Sequence, residues 1–388
     1  MSSFLLYFQC IIRSIEREEQ QQQAHNIEHR EREHKPPSTA TTMVFNRNSD
    51  DKSATDQAVV LFYHYFAESS EEPPRYPDWW KDPKESVKTL YENQKHLCKD
   101  ELHLTGRILI AEEGINGTVA GKKRDIEAYI KRMKEYHFGR YFRSVDWKVS
   151  TVNTFSTNEQ DQNSPTFLFP DLKICIVKEI VSTGGLVDVH DIPKETGKHL
   201  SPEEFHCILE AHATKDAKPQ IVLIDVRNTF EHNIGHFVHP ETGEKAMDPQ
   251  MTTFASFDKF CDQHKDELKD KQVLMYCTGG IRCEKASILL KRKGVENVSQ
   301  LSGGIQRYLE KYGNDGYFKG LNFTFDKRVA MKPDGSAQCT NCEPDRNTND
   351  VQDKMKDEKD YEVVGHCVEC SSPFVSERYC HRQICDAT

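Results

Sequence analysis

The chain has 388 residues, enough for two or three domains with buried cores. Its net charge of −10 excludes a protein that coats nucleic acid over its whole surface, although one face can still be basic. No apolar run reaches membrane-spanning length, so no membrane partner is expected.

Residues 1–55 are predicted as a disordered extension. The opening "MSSFLLYFQCII" has an apolar patch, but no positive residue precedes it and no small-residue cleavage site follows. The next stretch, "RSIEREEQQQQAHNIEHREREHKPPSTATT", is polar, Gln-rich and charged in both signs. Its glutamates argue against a mitochondrial presequence. Without a targeting signal, the 13 cysteines are expected as reduced thiols in a cytoplasmic protein. Cys98, Cys175, Cys207 and Cys261 stand singly among apolar or helical residues and read as small buried hydrophobes.

Ordered structure is predicted to begin near "AVVLFYHYF" (58–66), a β-rich run. Prolines mark the loop that follows, and a helix is expected around 85–98. The run "GRILIAEEGINGTVAG" (106–121) reads as strand, turn and strand, with Asn116-Gly117 in the turn. Gly114 and Gly117 are read as meeting its backbone demands. "KKRDIEAYIKRMKEY" then places Ile126, Tyr129, Ile130 and Met133 on one helical face. The pattern predicts a compact α+β domain over 56–152.

Residues 122–148 hold nine Lys/Arg against four Asp/Glu. Lys122, Lys123, Arg124, Lys131 and Arg132 are candidates for binding RNA phosphates. Tyr129, Tyr136, His137, Phe138, Tyr141 and Phe142 are interleaved there as candidate stacking residues. The alternative is a solvated helix face over an aromatic core. Glu112 and Glu113 are read as general bases or as partners of the basic stretch.

Residues 153–200 read as a linker with one strand, in "FPDLKICIVKEIV" (169–181). The second domain, 201–333, opens on Ser201-Pro202-Glu203-Glu204, a capping box with proline in the first helical turn. Apolar strands at 220–227, 271–277 and 296–301 alternate with helical stretches at 254–268, 284–293 and 305–312. That order predicts an α/β domain with a largely parallel sheet. Ligands bind such sheets at the carboxyl ends of the strands, where "DVR" and "CTGGIRC" fall.

The tail, 334–388, carries two Cys-x2-Cys pairs, Cys339 with Cys342 and Cys367 with Cys370, then Cys380 and Cys385. Two thiolates at that spacing clasp one tetrahedral ion, so a structural zinc is expected there. Cys367, Cys370, Cys380 and Cys385 alternatively form a self-contained site.

The loop Cys277, Thr278, Gly279, Gly280, Ile281, Arg282 and Cys283 carries the chemistry. A glycine-rich turn entering a helix gathers backbone N–H groups and the positive end of the helix dipole around one point. Cys277 is therefore expected to have a lowered pKa, with Arg282 adding fixed charge. Glu284, in the helix's first turn, opposes the thiolate somewhat. Four residues separate Cys277 from Arg282, one fewer than in cysteine phosphatases, and the shorter cradle suits a persulfide sulfur better than phosphate. Cys283 either resolves an oxidised Cys277 as a disulfide or packs at the helix start.

This loop resembles the active-site loop of rhodaneses, and "DVRNTFEHNIGHF" (225–237) resembles their Asp-x-Arg, Glu and Gly-His elements. With "AEEGINGTVAG" and "FPDLKICIVKEIV" before these and "FDKRVA" (325–330) after, the chain resembles the TrhO (YceA) family over 58–330. Bacterial members are oxygen-dependent hydroxylases of the tRNA wobble uridine. The resemblance implies an α/β rhodanese domain preceded by an acylphosphatase- or ferredoxin-like α+β domain.

It also implies Cys277 as the reactive cysteine, Thr278 to Arg282 as its loop, and Asp225 and Arg227 as residues that orient neighbouring loops. Glu231, Gly235 and His236 match as well, His236 as a scaffold residue. The implied reaction converts uridine to 5-hydroxyuridine, with tRNA as partner and dioxygen as co-substrate. Two other readings stand beside it. One is a thiosulfate-type sulfurtransferase that moves sulfur between a donor and an acceptor through a Cys277 persulfide. The other is a non-enzymatic, zinc-containing scaffold, against which the intact cysteine loop counts. No flavin, haem or nucleotide motif is apparent.

Overall fold

The computed structural model describes residues 57–67, 82–135, 142–152, 168–214, 219–326 and 330–331. The N-terminal extension, the candidate zinc cysteines and Tyr136, His137, Phe138 and Tyr141 lie outside the described residues.

The first sheet contains β1 (Gln57–Tyr65), β2 (Thr105–Ala111), β3 (Gly114–Lys122), β4 (Lys148–Val152) and β5 (Leu172–Ile176), in the order β4-β1-β3-β2-β5. Helix α1 (Pro83–Lys95) begins where the Asp82 carboxylate accepts the N–H groups of Lys84 and Glu85, with proline at its first position. It runs on into a π-helical turn, His96–Glu101. Helix α2 (Lys123–Glu135) follows β3 and buries Ile126, Tyr129 and Met133, the predicted face. Ala58, Val60 and Phe62 of β1 join those side chains in one core. Because a strand alternates faces, Leu61 and Tyr63 are left on the other side of the sheet.

Two features of the first sheet differ from the sequence reading. Asn116-Gly117 lies inside β3, paired with Leu109 and Ile108, and the turn is made by Glu112 and Glu113. Cross-strand packing explains the glycine: a Cβ at Gly117 would meet the Phe62 ring at 2.6 Å. The strand expected within the linker is β5, which pairs in parallel with β2 and completes the first sheet. The first domain's sheet thus extends beyond residue 152.

The second sheet is wholly parallel, ordered β6-β10-β9-β7. Its strands are β6 (Lys198–Leu200), β7 (Ile221–Asp225), β9 (Gln272–Tyr276) and β10 (Val298–Leu301), so its edge strand β6 precedes residue 201. The helices are α3 (Ile192–Glu195), α4 (Pro202–Ala211), α5 (Thr229–Ile234), α6 (Phe257–Leu268), α7 (Ile281–Arg292) and α8 (Gly304–Tyr312). Helix α4 has the predicted reciprocal capping box between Ser201 and Glu204. Short strands β8 (Gly235–Phe237), β11 (Phe318–Gly320), β12 (Asn322–Phe323) and β13 (Ala330–Met331) form two small antiparallel pairs.

The domains share a core. Tyr65 and Ala111 from the first sheet pack with Ile180 and Val187 and with Cys277, Cys283 and Ala286 around α7. Among the other cysteines, Cys98 and Cys261 are buried as expected, whereas Cys175 and Cys207 are only half-buried.

Candidate active site

Cys277 follows the last residue of β9, and the loop turns into α7 through Gly280, whose φ of +100° is left-handed. That conformation suits glycine and costs a larger residue strain. It turns the Gly280 N–H toward the Cys277 Sγ, 3.2 Å away. From the other side, Gly304 at the start of α8 approaches so closely that a Cβ would lie 2.5 Å from the Cys277 carbonyl oxygen. Ile305 N–H donates to that oxygen at 3.0 Å, and Gln306 N–H to the Thr278 oxygen at 3.2 Å. Two helix starts therefore pin the loop.

Burial opposes the Cys277 thiolate. The Cys283 thiol donates to the sulfur, however, the Arg282 charge is near, and the Arg282 and Gly280 N–H groups point at it; together they bring its pKa to about 6. Burial and the neighbouring Cys277 push Cys283 the other way, so it stays a protonated donor. The two sulfurs differ in role because one collects donors and the other supplies one.

Arg282 does not point freely into the loop. Its guanidinium grips Glu231 at 2.6 and 2.9 Å and donates to the Thr278 hydroxyl at 3.2 Å. Glu231 is buried within α5 and also accepts the Asn228 N–H that opens this helix. The fork thus ties α5 to the loop. Asp225 and Arg227 form a second buried pair, at 2.9 and 2.7 Å. Arg227 also donates to the Gly235 carbonyl, and Tyr276 and His232 contact Asp225 at 3.0 and 3.1 Å. Burial opposes the Asp225 charge, but Arg227 holds its carboxyl far below the usual range. His236 bonds the His232 carbonyl at 2.9 Å, and burial lowers its pKa to about 4. Burial therefore favours the neutral ring.

The first sheet covers the loop. A Cβ at Gly279 would meet Leu61 at 2.9 Å, and one at Gly280 would meet the Tyr63 hydroxyl at 3.2 Å. Tyr63 donates to Glu284 at 3.1 Å, beside donors from Thr196, His199 and Gln300. Burial works against Glu284, yet these donors, His199 first, keep it ionised. Lys148 is almost wholly buried here, 2.8 Å from Asp146 and 5.5 Å from the Tyr63 ring centre. Arg307 of α8 holds Asp146 in turn.

The sequence from 58 to 180 matches the family model described as the UPF0176 acylphosphatase like domain, and 209 to 311 matches the Rhodanese-like domain. A tRNA uridine(34) hydroxylase of Corynebacterium efficiens is 35% identical over 77% of this chain and 80% of its own length. The chain belongs to the tRNA uridine(34) hydroxylase family. A member from Corynebacterium urealyticum is 39% identical over 66% of this chain and 80% of that one. Rhodanese-like domain-containing protein 6 of Arabidopsis thaliana is 36% identical over 63% of this chain, which spans only 42% of the plant protein.

For this family member, the structure gathers Cys277 to Cys283 with Glu231, and sets Asp225, Arg227 and His236 behind them as support. The basic stretch lies elsewhere. Lys122, Lys123, Arg124, Lys131 and Arg132 are exposed on or beside α2, across the first sheet from the cysteine loop. Lys131 and Arg132 have carboxylate neighbours in Glu135 and Glu101. Tyr129 is a core residue donating to Gln94 at 2.7 Å, and Phe142 is fully buried, so neither is placed to stack a base.

Glu113 pairs with Lys285 of α7 instead of the basic stretch, and Glu112 is exposed at the turn. Sequence reasoning did not single out Tyr63, Lys148 or Gly304. Periodicity puts Tyr63 opposite Phe62 in β1, but no local signal said that this face covers a second domain. Among the described residues, no cluster suits a metal ion, and no helix is long and apolar enough to cross a membrane.

Proposed function

We propose that this chain hydroxylates the wobble uridine of tRNA, with Cys277 as the reacting thiolate. The observation that carries this reading is the joint construction of the site. Leu61, Tyr63 and Lys148 of the acylphosphatase-like domain close directly on the Cys277 loop, so both family domains contribute to one centre. Relatives of this two-domain build bear the name of that activity.

A thiolate adding to C6 of uracil turns C5 into a nucleophilic enolate carbon. That carbon takes one oxygen atom from dioxygen. A thiol co-reductant supplies the two electrons that, with protons, convert the other atom to water, and loss of the thiolate restores the ring as 5-hydroxyuridine. A cytoplasmic location with tRNA as partner follows from this reading.

The test is expression of the chain and of Cys277→Ser in bacteria lacking their own hydroxylases of this uridine. Tandem mass spectrometry of digested tRNA should show 5-hydroxyuridine with the parent only. Product from neither, with soluble protein in both, would reject the reading. The low-pKa loop favours a second reading, sulfur transfer through a Cys277 persulfide, and that outcome would bring it forward.

A further inference from the structure

The hydroxylation needs two electrons beyond those of uridine, yet its sulfur is sealed from dissolved thiols, since neither Cys277 nor Cys283 has exposed surface. The loop itself holds a second thiol against the first. Gly280 N–H reaches the Cys277 Sγ at 3.2 Å, and Cys283 N–H donates back to the Gly280 carbonyl at 3.2 Å. This turn brings the third residue of α7 over the end of β9, where the Cys283 thiol hydrogen-bonds the Cys277 sulfur. Both side chains lie in the core that the domains share. By contrast, burial alone raises the Cys98 thiol in the first core, as befits a small packing residue.

We propose that Cys283 is the reductant of each turnover, closing on Cys277 as a disulfide when 5-hydroxyuridine leaves. The inference rests on the hydroxylase reading above and names its two-electron donor. Once Cys277 is bonded to C6 and C5 has taken dioxygen, the Cys283 proton passes to the outer oxygen, giving a hydroperoxide on C5. The Cys283 sulfur then attacks that oxygen. The O–O bond breaks, leaving a sulfenic acid on Cys283 and an alkoxide on C5 that takes a proton. Loss of the C5 proton expels Cys277 from C6 with its electron pair and frees 5-hydroxyuridine. That thiolate attacks the sulfenic sulfur, the S–S bond forms, and hydroxide leaves to become water with a solvent proton. Uridine and the pair of thiols each give two electrons, the four that dioxygen takes. A dithiol from outside then opens the disulfide.

The timing follows from what surrounds Cys283. Burial raises its thiol first, then its bond to Cys277 and that sulfur's charge, while Arg282 opposes them. Bonding Cys277 to carbon removes both Cys277 contributions and leaves Arg282, so Cys283 gives up its proton at the step that uses it.

The experiment mixes the full chain, reduced and then freed of reductant, with aerated buffer and tRNA from bacteria lacking hydroxylases of this uridine. The parent should make about one 5-hydroxyuridine per chain and stop, because the pair of thiols carries only two electrons. Its mass should fall by two hydrogens, and peptide mapping without reduction should show Cys277 joined to Cys283. Dithiothreitol should restart turnover. Without tRNA, both thiols should stay reduced. Cys283→Ser keeps a hydroxyl donor for the Cys277 sulfur, so it should retain the thiolate absorbance while making about tenfold less product in this assay. Product from the parent with both thiols still free would overturn the proposal, as would equal product from Cys283→Ser. So would a disulfide that forms as fast without tRNA. A parent that makes no 5-hydroxyuridine even with dithiothreitol overturns the hydroxylase reading first, and this inference with it.

Discussion

The Lys285 ammonium lies 2.8 Å from Glu113 and 2.9 Å from Glu179, and it also donates to the Val181 carbonyl at 2.9 Å. Lys285 has no exposed side-chain surface. It joins the helix behind the cysteine loop to the hairpin turn of the first sheet, a contact that explains the buried Glu113 of "AEEG" better than catalysis does.

Removing that cation strands two carboxylates against each other. Lys285→Met is expected to lower stability by about 3–5 kcal/mol in urea unfolding, the usual cost of breaking a buried pair. A loss below about 1 kcal/mol would mean that the pair is solvated and does not hold the domains together.

The pH dependence of the site follows from Cys277. With a pKa of about 6, its thiolate predominates above that pH, and activity that needs the thiolate falls as the pH drops through it. The ultraviolet thiolate absorbance that disappears in Cys277→Ser should therefore have its midpoint near 6. Burial pushes Cys98 and Cys261 up to about 12, so they stay silent over this range. A midpoint near the ordinary thiol value of about 8.5 would contradict the donor arrangement around the sulfur.

Arg282→Ala should raise that midpoint toward about 8.5 and leave Glu231 buried without its partner, at a cost of about 3–5 kcal/mol. Arg282→Lys keeps a charge but loses the two-pronged grip. It should fall between parent and alanine variant in both thiolate titration and urea unfolding.

Two glycines with similar backbone angles separate strain from crowding. Gly304 has φ +66° with the Cys277 carbonyl in its path, and Gly243 has φ +68° with open space around it. Each alanine variant should lose about 1–2 kcal/mol from the left-handed backbone. Only Gly304→Ala should also displace the loop and abolish tRNA hydroxylation in the bacterial complementation assay. Equal activity in the two variants would show that the helix start does not set the loop.

Much of the fold was legible in the sequence because it is written locally. The Ser201 capping box, the alternating strands of the second domain and the apolar face of α2 each depend on neighbours a few residues apart. The reactive loop was legible for the same reason, since Cys277, Gly280 and Arg282 act within one turn. Asn116-Gly117 misled because a glycine demanded by Phe62, far away in sequence, has the same letters as a hairpin turn. Glu113 was misplaced, and Lys148 passed over, for a related reason. Their partners belong to elements that come together only when the two sheets pack.

An ionised thiol in a cell is a target for peroxides and for any disulfide that reaches it. Cys277 combines a low pKa with a side chain sealed beneath Leu61 and Tyr63. The first domain thus acts as a filter on reactivity, keeping the sulfur charged while leaving general oxidants no surface to strike. A substrate must displace part of the Leu61 and Tyr63 cover before it meets the sulfur, so the strand that shields Cys277 also governs access to it.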